Sequence, residues 1–200
     1  MINIGFMFYN KRTATFAFSH LQMSLQMLVL IGGVSRSGKS VLADSLQESL
    51  GTKCLALHQD EYVLPENELP LIRDMHDWEV PESVDWNRWT AAIEDALKGH
   101  DVIVAEGILA FLPAEIFQKA QIAIYMEIDF QTFFARRKAD LRWGIRPDWY
   151  YMHVWEAHFK YGLPPKNRQV TRLDGSQKLE NNLAKTLDLI ENNRKDKSHC

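Results

Sequence analysis

The chain has 200 residues, of which 46% are apolar and 24% are charged. These proportions are typical of a globular domain and exclude a disordered or fibrous protein. The only two cysteines, Cys54 and Cys200, exclude a disulfide-rich scaffold and suit a reducing compartment. The longest apolar runs span about five to seven residues, far fewer than the roughly 20 that a membrane-spanning helix needs.

The net charge of −3 is unevenly distributed along the chain. Residues 1–43 contain four basic side chains and no Asp or Glu, so the other 157 residues carry −7. This acidic body argues against a nucleic-acid-binding protein. We expect residues 1–26 to be a disordered N-terminal extension. Alternatively, they are present because translation began upstream of the usual start, which would be Met23 or Met27. We expect the protein to be cytoplasmic. The alternative is that residues 1–26 are a mitochondrial targeting peptide.

Hydrophobic patterns after this extension predict strands that alternate with helices. Strands are expected at 27–33, 53–58, 102–105, within 120–128 and at 170–173. Helices are expected at 39–50, 86–98, 130–143, 149–161 and 177–192. The alternation predicts an α/β fold, with a parallel sheet flanked by helices on both faces and one domain over 27–192. Residues 64–84 form a long connection, and residues 193–200 are expected to be a polar, frayed tail.

A complete GxxxxGK[ST] motif joins the first strand to the first helix. Its glycines allow backbone N–H groups to surround phosphate oxygens at the positive end of the helix dipole. Its lysine would reach the β- and γ-phosphates, and its last hydroxyl would ligate Mg²⁺. The motif predicts a P-loop NTPase fold and ATP-binding residues Gly33, Val34, Ser35, Arg36, Ser37, Gly38, Lys39 and Ser40.

The rest of the chain narrows the class of nucleotide-binding protein. A signalling GTPase would need an Asn-Lys-x-Asp guanine-binding motif, whereas residues 193–196 read Asn-Arg-Lys-Asp. A motor or transporter ATPase would be far larger. A small-molecule kinase is favoured, because it needs only a phosphate loop, a base, an acceptor pocket and a lid.

Two acidic residues follow predicted strands at the carboxyl edge of the sheet. Asp60 follows the second strand, where it could accept the proton of an attacking hydroxyl and contribute to the Mg²⁺ site. Glu106 ends the third strand, where it could hold a water on Mg²⁺ together with Ser40. The alternative interpretations are a solvated turn residue for Asp60 and a cap for Glu106.

Five basic residues lie close together on and after the helix over 130–143. A solvated charged face would explain them, but in a phosphoryl-transfer enzyme such a segment forms a lid that neutralises transition-state charge. Gly144 and Pro147 would act as its hinges or stops. We therefore predict an arginine-rich lid containing Arg136, Arg137, Lys138, Arg142 and Arg146.

Six tryptophans are many for a chain of this length. Trp86 and Trp89 have helical spacing and are expected in the core. Trp78 and Trp143 lie in loops beside the expected acceptor pocket, where they could stack on a flat base or a pyridinium ring. Glu79 could accept hydrogen bonds from ribose hydroxyls.

Taken together, these motifs resemble the nicotinamide riboside kinases, relatives of the uridine kinases. The likeness runs from about residue 28 to 190, and the GIRPDWYY…HVW stretch is similar to fungal members. The likeness to the nicotinamide riboside kinases is carried by GVSRSGKSVLADSLQ (33–47), HQDEY (58–62), DWEVPESVDW (77–86), VAEGILAF (104–111), RRKADLRWG (136–144), HVW (153–155) and LDG (173–175).

The resemblance implies a role for individual residues. The phosphate loop extends to Val41, and the catalytic acid is Asp60. The aromatic residue and acid that hold the base and the ribose are Trp78 and Glu79, although the family often has Asp at the second position. The remaining substrate contacts implied or predicted here are Glu61, Tyr62 and Trp143. The nucleotide contacts include Arg137 and Arg142. The lid residue that contacts the substrate is Lys138, or Arg142 if a residue is inserted.

The implied reaction is ATP-dependent phosphorylation of the 5′-hydroxyl of nicotinamide riboside, and of nicotinic acid riboside, with Mg²⁺. The product is the mononucleotide used for NAD biosynthesis. A uridine or cytidine kinase and a non-catalytic nucleotide-binding regulatory protein are the alternatives. The expected partner is a small nucleoside, with no nucleic acid and no membrane, and the protein is expected to be a monomer or weak homodimer.

Overall fold

The computed structural model describes residues 26–198, so the prediction for residues 1–26 falls outside it except at Gln26. The strands of this part are β1 (Met27–Gly33), β2 (Cys54–His58), β3 (Leu71–Ile72), β4 (Met75–His76), β5 (Val102–Gly107), β6 (Ile122–Glu127) and β7 (Thr171–Asp174). The α-helices are α1 (Lys39–Leu50), α2 (Trp86–Gly99), α3 (Ala114–Lys119), α4 (Phe130–Ala139), α5 (Asp148–Tyr161) and α6 (Leu179–Ser198).

Five strands form one parallel sheet in the order β2-β5-β1-β6-β7. All four strand pairs are parallel, and β1 lies in the centre. The carboxyl ends of these strands therefore meet at one edge of the sheet, which is where open α/β sheets bind ligands. The register places Ile31 and His58 on either side of Glu106 at this edge. The predicted α/β fold is confirmed.

Two hydrophobic layers cover the sheet because successive strand residues point to opposite faces. On one face, Leu28 and Leu30 of β1 pack in a cluster with Trp89 of α2, which is fully buried as predicted. On the other face, Val29 and Ile31 pack in a cluster with the buried leucines of α1 and with residues of α6. Each face is thereby closed by helices from both halves of the chain.

Two helices end at positions other than those predicted. Helix α4 stops at Ala139, not at residue 143, because Asp140 has an extended backbone and its carboxylate accepts a hydrogen bond from the Arg142 N–H. Residues Leu141–Trp143 then form a separate 3-10 turn. Helix α6 continues past the predicted end at residue 192 as far as Ser198, although these last residues are polar. An ion pair of 3.1 Å between Glu191 and Lys195, one helical turn apart, supports the extension.

The long connection over 64–84 is ordered by short elements of its own. It contains the antiparallel β3–β4 hairpin and the 3-10 turns Glu66–Glu68 and Pro81–Ser83. The Asp77 N–H donates to the Pro70 carbonyl at 2.7 Å, which closes the segment on itself. In the described range, no helix is both long and apolar enough to cross a membrane.

Candidate active site

The phosphate loop has the backbone that its glycines allow. Gly33, Arg36 and Gly38 have φ values of 146°, 65° and 97°, in the region that favours glycine. A Cβ atom on Gly33 would clash with the carbonyl oxygen of Met126 on β6, so a side chain is excluded there. Lys39 is 6% exposed, and its ammonium donates to the Val34 carbonyl at 3.1 Å across the loop. The loop and its lysine are thus formed before any phosphate arrives.

One of the predicted lid arginines instead holds this loop in place. The Arg136 guanidinium donates to the carbonyls of Arg36 at 3.1 Å and Gly175 at 3.0 Å. A Cβ atom on Gly175 would clash with the Ser37 carbonyl, so the segment after β7 packs directly on the phosphate loop. Arg136 therefore fastens the loop to the last strand of the sheet.

Ser40 and Glu106 meet beneath the phosphate loop. The Ser40 hydroxyl donates to the Glu106 carboxylate at 2.9 Å, and Glu106 is only 3% exposed. The same carboxylate oxygen lies 2.9 Å from Nδ1 of His58, whose Nε2 lies 3.0 Å from Asp44. The hydrogen bond to Glu106 raises the pKa of His58 to about 9. The ring is then protonated at neutral pH and donates to both carboxylates.

This arrangement fits Mg²⁺ held mainly by phosphate and water. No group of three or more His, Cys, Asp or Glu side chains able to hold a metal occurs within residues 26–198. A Mg²⁺ ion bound beside nucleotide phosphates needs no such cage, because it keeps several waters and takes one or two protein oxygens. Ser40 and Glu106, with Asp60 nearby, supply oxygen ligands of that kind.

A cavity of about 240 Å³ opens beside the phosphate loop at the carboxyl edge of the sheet. Its walls bring together predicted residues from five separate segments of the chain. Ser35 belongs to the phosphate loop, Asp60 follows β2, Trp78 and Glu79 belong to the long connection, and Arg137 lies on α4. The remaining polar lining comes from Gln59, next to Asp60, and from Arg146 and Tyr150, before and within α5.

Asp60 is carried on a firmly anchored turn. The preceding residue, Gln59, is 1% exposed, and its side-chain oxygen accepts from the Leu109 N–H at 3.0 Å. The Asp60 carboxyl group is open to the cleft on one side, yet partial burial, and next the charge of Glu106, raise its pKa above the usual range. Lys39 acts in the opposite direction and stabilises the carboxylate. A carboxylate with a raised pKa is a better proton acceptor.

Glu79 is a buried acid that forms no ion pair with any described residue. It is 6% exposed, and burial raises its pKa to about 7, while the positive charge of Arg137 partly offsets this rise. Its N–H donates to the Asp77 carboxylate at 3.1 Å, and that carboxylate oxygen also lies 2.9 Å from His153 of α5. The backbone around Glu79 is thus hydrogen-bonded, through Asp77, to helix α5, while the Glu79 side chain lines the cavity.

Three arginines of the phosphate-binding side gather around Asp140. Its carboxylate lies 3.2 Å from Arg36, 2.8 Å from Arg142 and 4.0 Å from Arg137. The hydrogen bond from Arg142 holds the pKa of Asp140 well below its usual range, with further contributions from Arg36. The acid therefore stays charged and links the segment after α4 to the phosphate loop.

Three other predicted substrate contacts, Glu61, Tyr62 and Lys138, do not line the cavity. Lys138 is exposed and lies 3.6 Å from Asp148. Tyr62 packs edge-on against Trp89 at 5.2 Å in the core, and Glu61 is exposed. Trp143 ends a 3-10 turn, and its side chain lies outside the described residues.

Sequence reasoning missed three features of the site. The role of Asp140 could have been predicted, because it is the only acid among the basic residues over 136–146. His58 gave a weaker signal, because the parallel register that pairs it with Glu106 cannot be read from one chain. Tyr150 gave none: its position in the cavity wall depends on how α5 packs on the sheet.

The fold is shared with solved structures of small-molecule kinases. A gluconokinase from Sinorhizobium meliloti 1021 superimposes with a TM-score of 0.59 at 17% identity, over 86% of this chain and 95% of its own. A shikimate kinase from Aquifex aeolicus VF5 superimposes with a TM-score of 0.50 at 19% identity, over 84% and 98%. The chain therefore has the fold of the P-loop kinases.

Similar sequences indicate a narrower relationship. Nicotinamide riboside kinase 2 from Mus musculus is 23% identical, over 84% of this chain and 97% of that protein. The Homo sapiens nicotinamide riboside kinase 2 is also 23% identical, over 84% and 82%. No protein-family model matches the chain. Relatives and structural neighbours together support a P-loop kinase as the class of protein, and the likeness to fungal members stays a prediction.

Proposed function

We propose that this protein transfers the γ-phosphoryl group of ATP to the 5′-hydroxyl of nicotinamide riboside and of nicotinic acid riboside. The observation that carries the proposal is the shared cavity. A phosphate-loop residue, Ser35, an acid suited to be the base, Asp60, an aromatic residue, Trp78, and a buried acid, Glu79, all line it. The distant likeness to two nicotinamide riboside kinases supports the same choice of acceptor.

On the donor side, the triphosphate would lie in the phosphate loop with Lys39 on its β- and γ-phosphates. Lys39 now donates to the Val34 carbonyl, so it would exchange one oxygen partner for another. Ser40, Glu106 and Asp60 would hold Mg²⁺ directly or through water, and the bound ion would neutralise charge on the phosphate oxygens. Arg137 and Arg142 would add positive charge from the lid.

On the acceptor side, a pyridinium ring would stack on Trp78, since the face of an aromatic ring attracts a cation. The 2′- and 3′-hydroxyls of the ribose would donate to Glu79. The 5′-carbon lies on the face of the ribose ring opposite to the 2′- and 3′-hydroxyls, so it would face away from Glu79. Asp60, which lines the same cavity as Ser35 of the phosphate loop, would then receive the 5′-hydroxyl.

In the transfer step, the 5′-oxygen attacks the γ-phosphorus while Asp60 accepts the hydroxyl proton. The bond from the γ-phosphorus to the bridging oxygen breaks, and ADP leaves with that electron pair. Positioning and charge neutralisation supply most of the acceleration in such transfers. The closed lid would keep water, the competing acceptor, away from the γ-phosphate.

The test is ADP release from Mg·ATP with nicotinamide riboside, nicotinic acid riboside, uridine and cytidine as separate acceptors. Mass spectrometry of the products identifies the phosphorylated nucleoside, and a reaction without acceptor measures ATP hydrolysis. The Asp60→Asn variant serves as the blank for contaminating kinases. We expect rapid turnover of the pyridine ribosides and little of the pyrimidines.

The other outcomes are equally informative. Preference for uridine or cytidine would keep the donor side and Asp60 but would replace the proposed acceptor with a pyrimidine nucleoside. ATP binding with no phosphorylated product from any nucleoside would reject the kinase proposal in favour of a nucleotide-binding regulatory protein.

A further inference from the structure

Arg146 differs from the three arginines that gather around Asp140 in having no acidic partner. Arg36, Arg137 and Arg142 all lie within 4.0 Å of Asp140. Arg146 forms no ion pair with a carboxylate of residues 26–198, although it is half-buried and lines the cavity. A guanidinium group that faces a cavity without an anion is a candidate for binding an anionic ligand.

The contacts of Arg146 place it on the aromatic wall of the cavity. Its guanidinium carbon lies 5.8 Å from the centre of the Tyr150 ring. The Tyr150 hydroxyl donates to the His76 carbonyl at 3.2 Å, and the His76 ring lies edge-on to Trp78 at 6.2 Å. This chain of contacts leads from Arg146 to the side chain proposed to stack on the base. It does not lead to the phosphate loop.

The backbone at Arg146 is also fixed. Its N–H donates to the Tyr151 hydroxyl at 3.3 Å, and Tyr151 is buried and packs edge-on against Phe134 of α4. The residue therefore enters the cavity from an anchored position at the start of α5. A pre-positioned guanidinium loses less conformational entropy when it binds a carboxylate.

We infer that Arg146 binds a carboxylate on the acceptor's ring and so makes this protein selective for nicotinic acid riboside over nicotinamide riboside. The inference rests on the function proposed above and names its preferred substrate. A pyridinium ring with a carboxylate is a zwitterion. Trp78 and Arg146, both in the cavity wall, would bind its pyridinium and its carboxylate respectively.

Selectivity follows from what each ligand leaves unpaired. The carboxylate can accept two hydrogen bonds from the planar guanidinium, and charged hydrogen bonds of this kind are stronger than neutral ones. A carboxamide offers one neutral oxygen and leaves the guanidinium without an anion in a partly desolvated site. Selectivity is set by the difference between the binding free energies of the acid and the amide. One charged hydrogen bond makes the affinity for the acid higher by roughly 10- to 100-fold.

The experiment compares kcat/KM for the two pyridine ribosides in the wild type, in Arg146→Gln and in Lys98→Gln. Lys98 is an exposed cation on α2, so its variant removes the same charge far from the cavity. We expect the wild type to prefer the acid by about tenfold or more, and we expect Arg146→Gln to lose most of that preference. Lys98→Gln should keep the wild-type ratio.

Binding without turnover gives a second readout. Calorimetric titration of the acid riboside, with a non-hydrolysable ATP analogue present, should show weaker binding to Arg146→Gln by about the same factor. Matching thermal unfolding curves for both proteins will show that the variant is folded. The KM for ATP in Arg146→Gln should change less than the KM for the acid riboside.

Four results would overturn the inference. Equal use of both ribosides by the wild type, or an unchanged ratio in Arg146→Gln, would reject it while leaving the proposed function intact. A rise in the KM for ATP that is the same with either acceptor would instead make Arg146 a nucleotide ligand. No turnover of either riboside by the wild type would reject the proposed function and this inference together.

Discussion

The proposed donor side and the proposed acceptor side of the site each hold a buried acid. The two acids differ in whether their charge is compensated by other groups of the protein. Glu106 accepts hydrogen bonds from Ser40 and from protonated His58, so its charge is compensated within the protein. Glu79 has no ion pair among the described residues, and burial raises its pKa to about 7. The acid on the donor side is thus hydrogen-bonded within the protein, whereas the acid on the acceptor side has no ion-pair partner among the described residues.

The two sides also differ in what builds them. The phosphate loop is one contiguous segment that presents backbone N–H groups, and it needs glycine where side chains would clash. The cavity wall consists of side chains from six segments, held by contacts such as the Asp77–His153 pair. A backbone-built site binds what all nucleotides share, while a side-chain-built site distinguishes one acceptor from another.

The largest effect should come from Asp60, where the two sides meet. Asp60→Asn keeps the size of the side chain but cannot accept the hydroxyl proton, so kcat should fall by about 10²- to 10⁴-fold. ATP affinity, measured by calorimetry, should remain close to that of the wild type. Asp74→Asn, at an exposed acid in the β3–β4 hairpin, is the matched control. Wild-type turnover by Asp60→Asn would remove this residue from the role of base.

Lys39→Ala tests the donor side alone. Loss of the ammonium group should lower kcat by about 10²- to 10³-fold, because one preorganised charge on the transferring phosphoryl group is removed. The KM for the riboside should change little. Lys53→Ala removes an exposed lysine next to β2 and should be neutral. An equal rate for Lys39→Ala and the wild type would contradict the phosphate-loop assignment.

Glu79→Gln tests the acceptor side alone. The KM for the riboside should rise by roughly 10- to 100-fold, since the ribose hydroxyls lose a charged acceptor. In the wild type, riboside affinity should strengthen as pH rises through 7, when Glu79 loses its proton. That pH dependence should be absent from the variant. A pH-independent riboside affinity in the wild type would reject this role for Glu79.

The same variant should be more stable than the wild type at high pH. The ordinary pKa of Glu79 is 4.5 and the folded value is about 7, so the folded state binds more protons between these values. Stability therefore falls as pH rises through this window, by up to roughly 3 kcal/mol. At pH 8, denaturant unfolding should give Glu79→Gln a larger free energy of unfolding than the wild type. The difference between the two proteins should shrink towards pH 4.5. The opposite trend would show that Glu79 has a partner in the folded protein.

The smallest effect is expected at Asp140, which joins the lid to the phosphate loop. Asp140→Asn should lower kcat by about 3- to 10-fold, because Arg36, Arg137 and Arg142 lose the charge that gathers them. Single exposed pairs contribute far less, so Asp95→Asn, which breaks a surface pair with Lys98, should be neutral. Equal kcat values in the two variants would show that the lid closes without this cluster.

The features that could be predicted from the sequence are those that depend on residues close together in the chain. The phosphate loop, helix α1 and its leucine face, and the end of β2 before Asp60 all follow from adjacent residues, and the structure has them where they were predicted. Backbone conformation and hydrophobic periodicity depend on neighbours within one or two turns. That is why these features could be read without a fold.

Which of the basic residues face the cavity could not be predicted from the sequence, because it depends on long-range packing. Five of them follow one another over 136–146, yet Arg136 fastens the phosphate loop, Lys138 is exposed, Arg142 joins Asp140, and Arg137 and Arg146 line the cavity. The break in the helix at Asp140 rotates the later residues away from a regular helical face. Side chains that are neighbours in sequence then point in different directions, and only long-range packing determines which of them reaches a ligand.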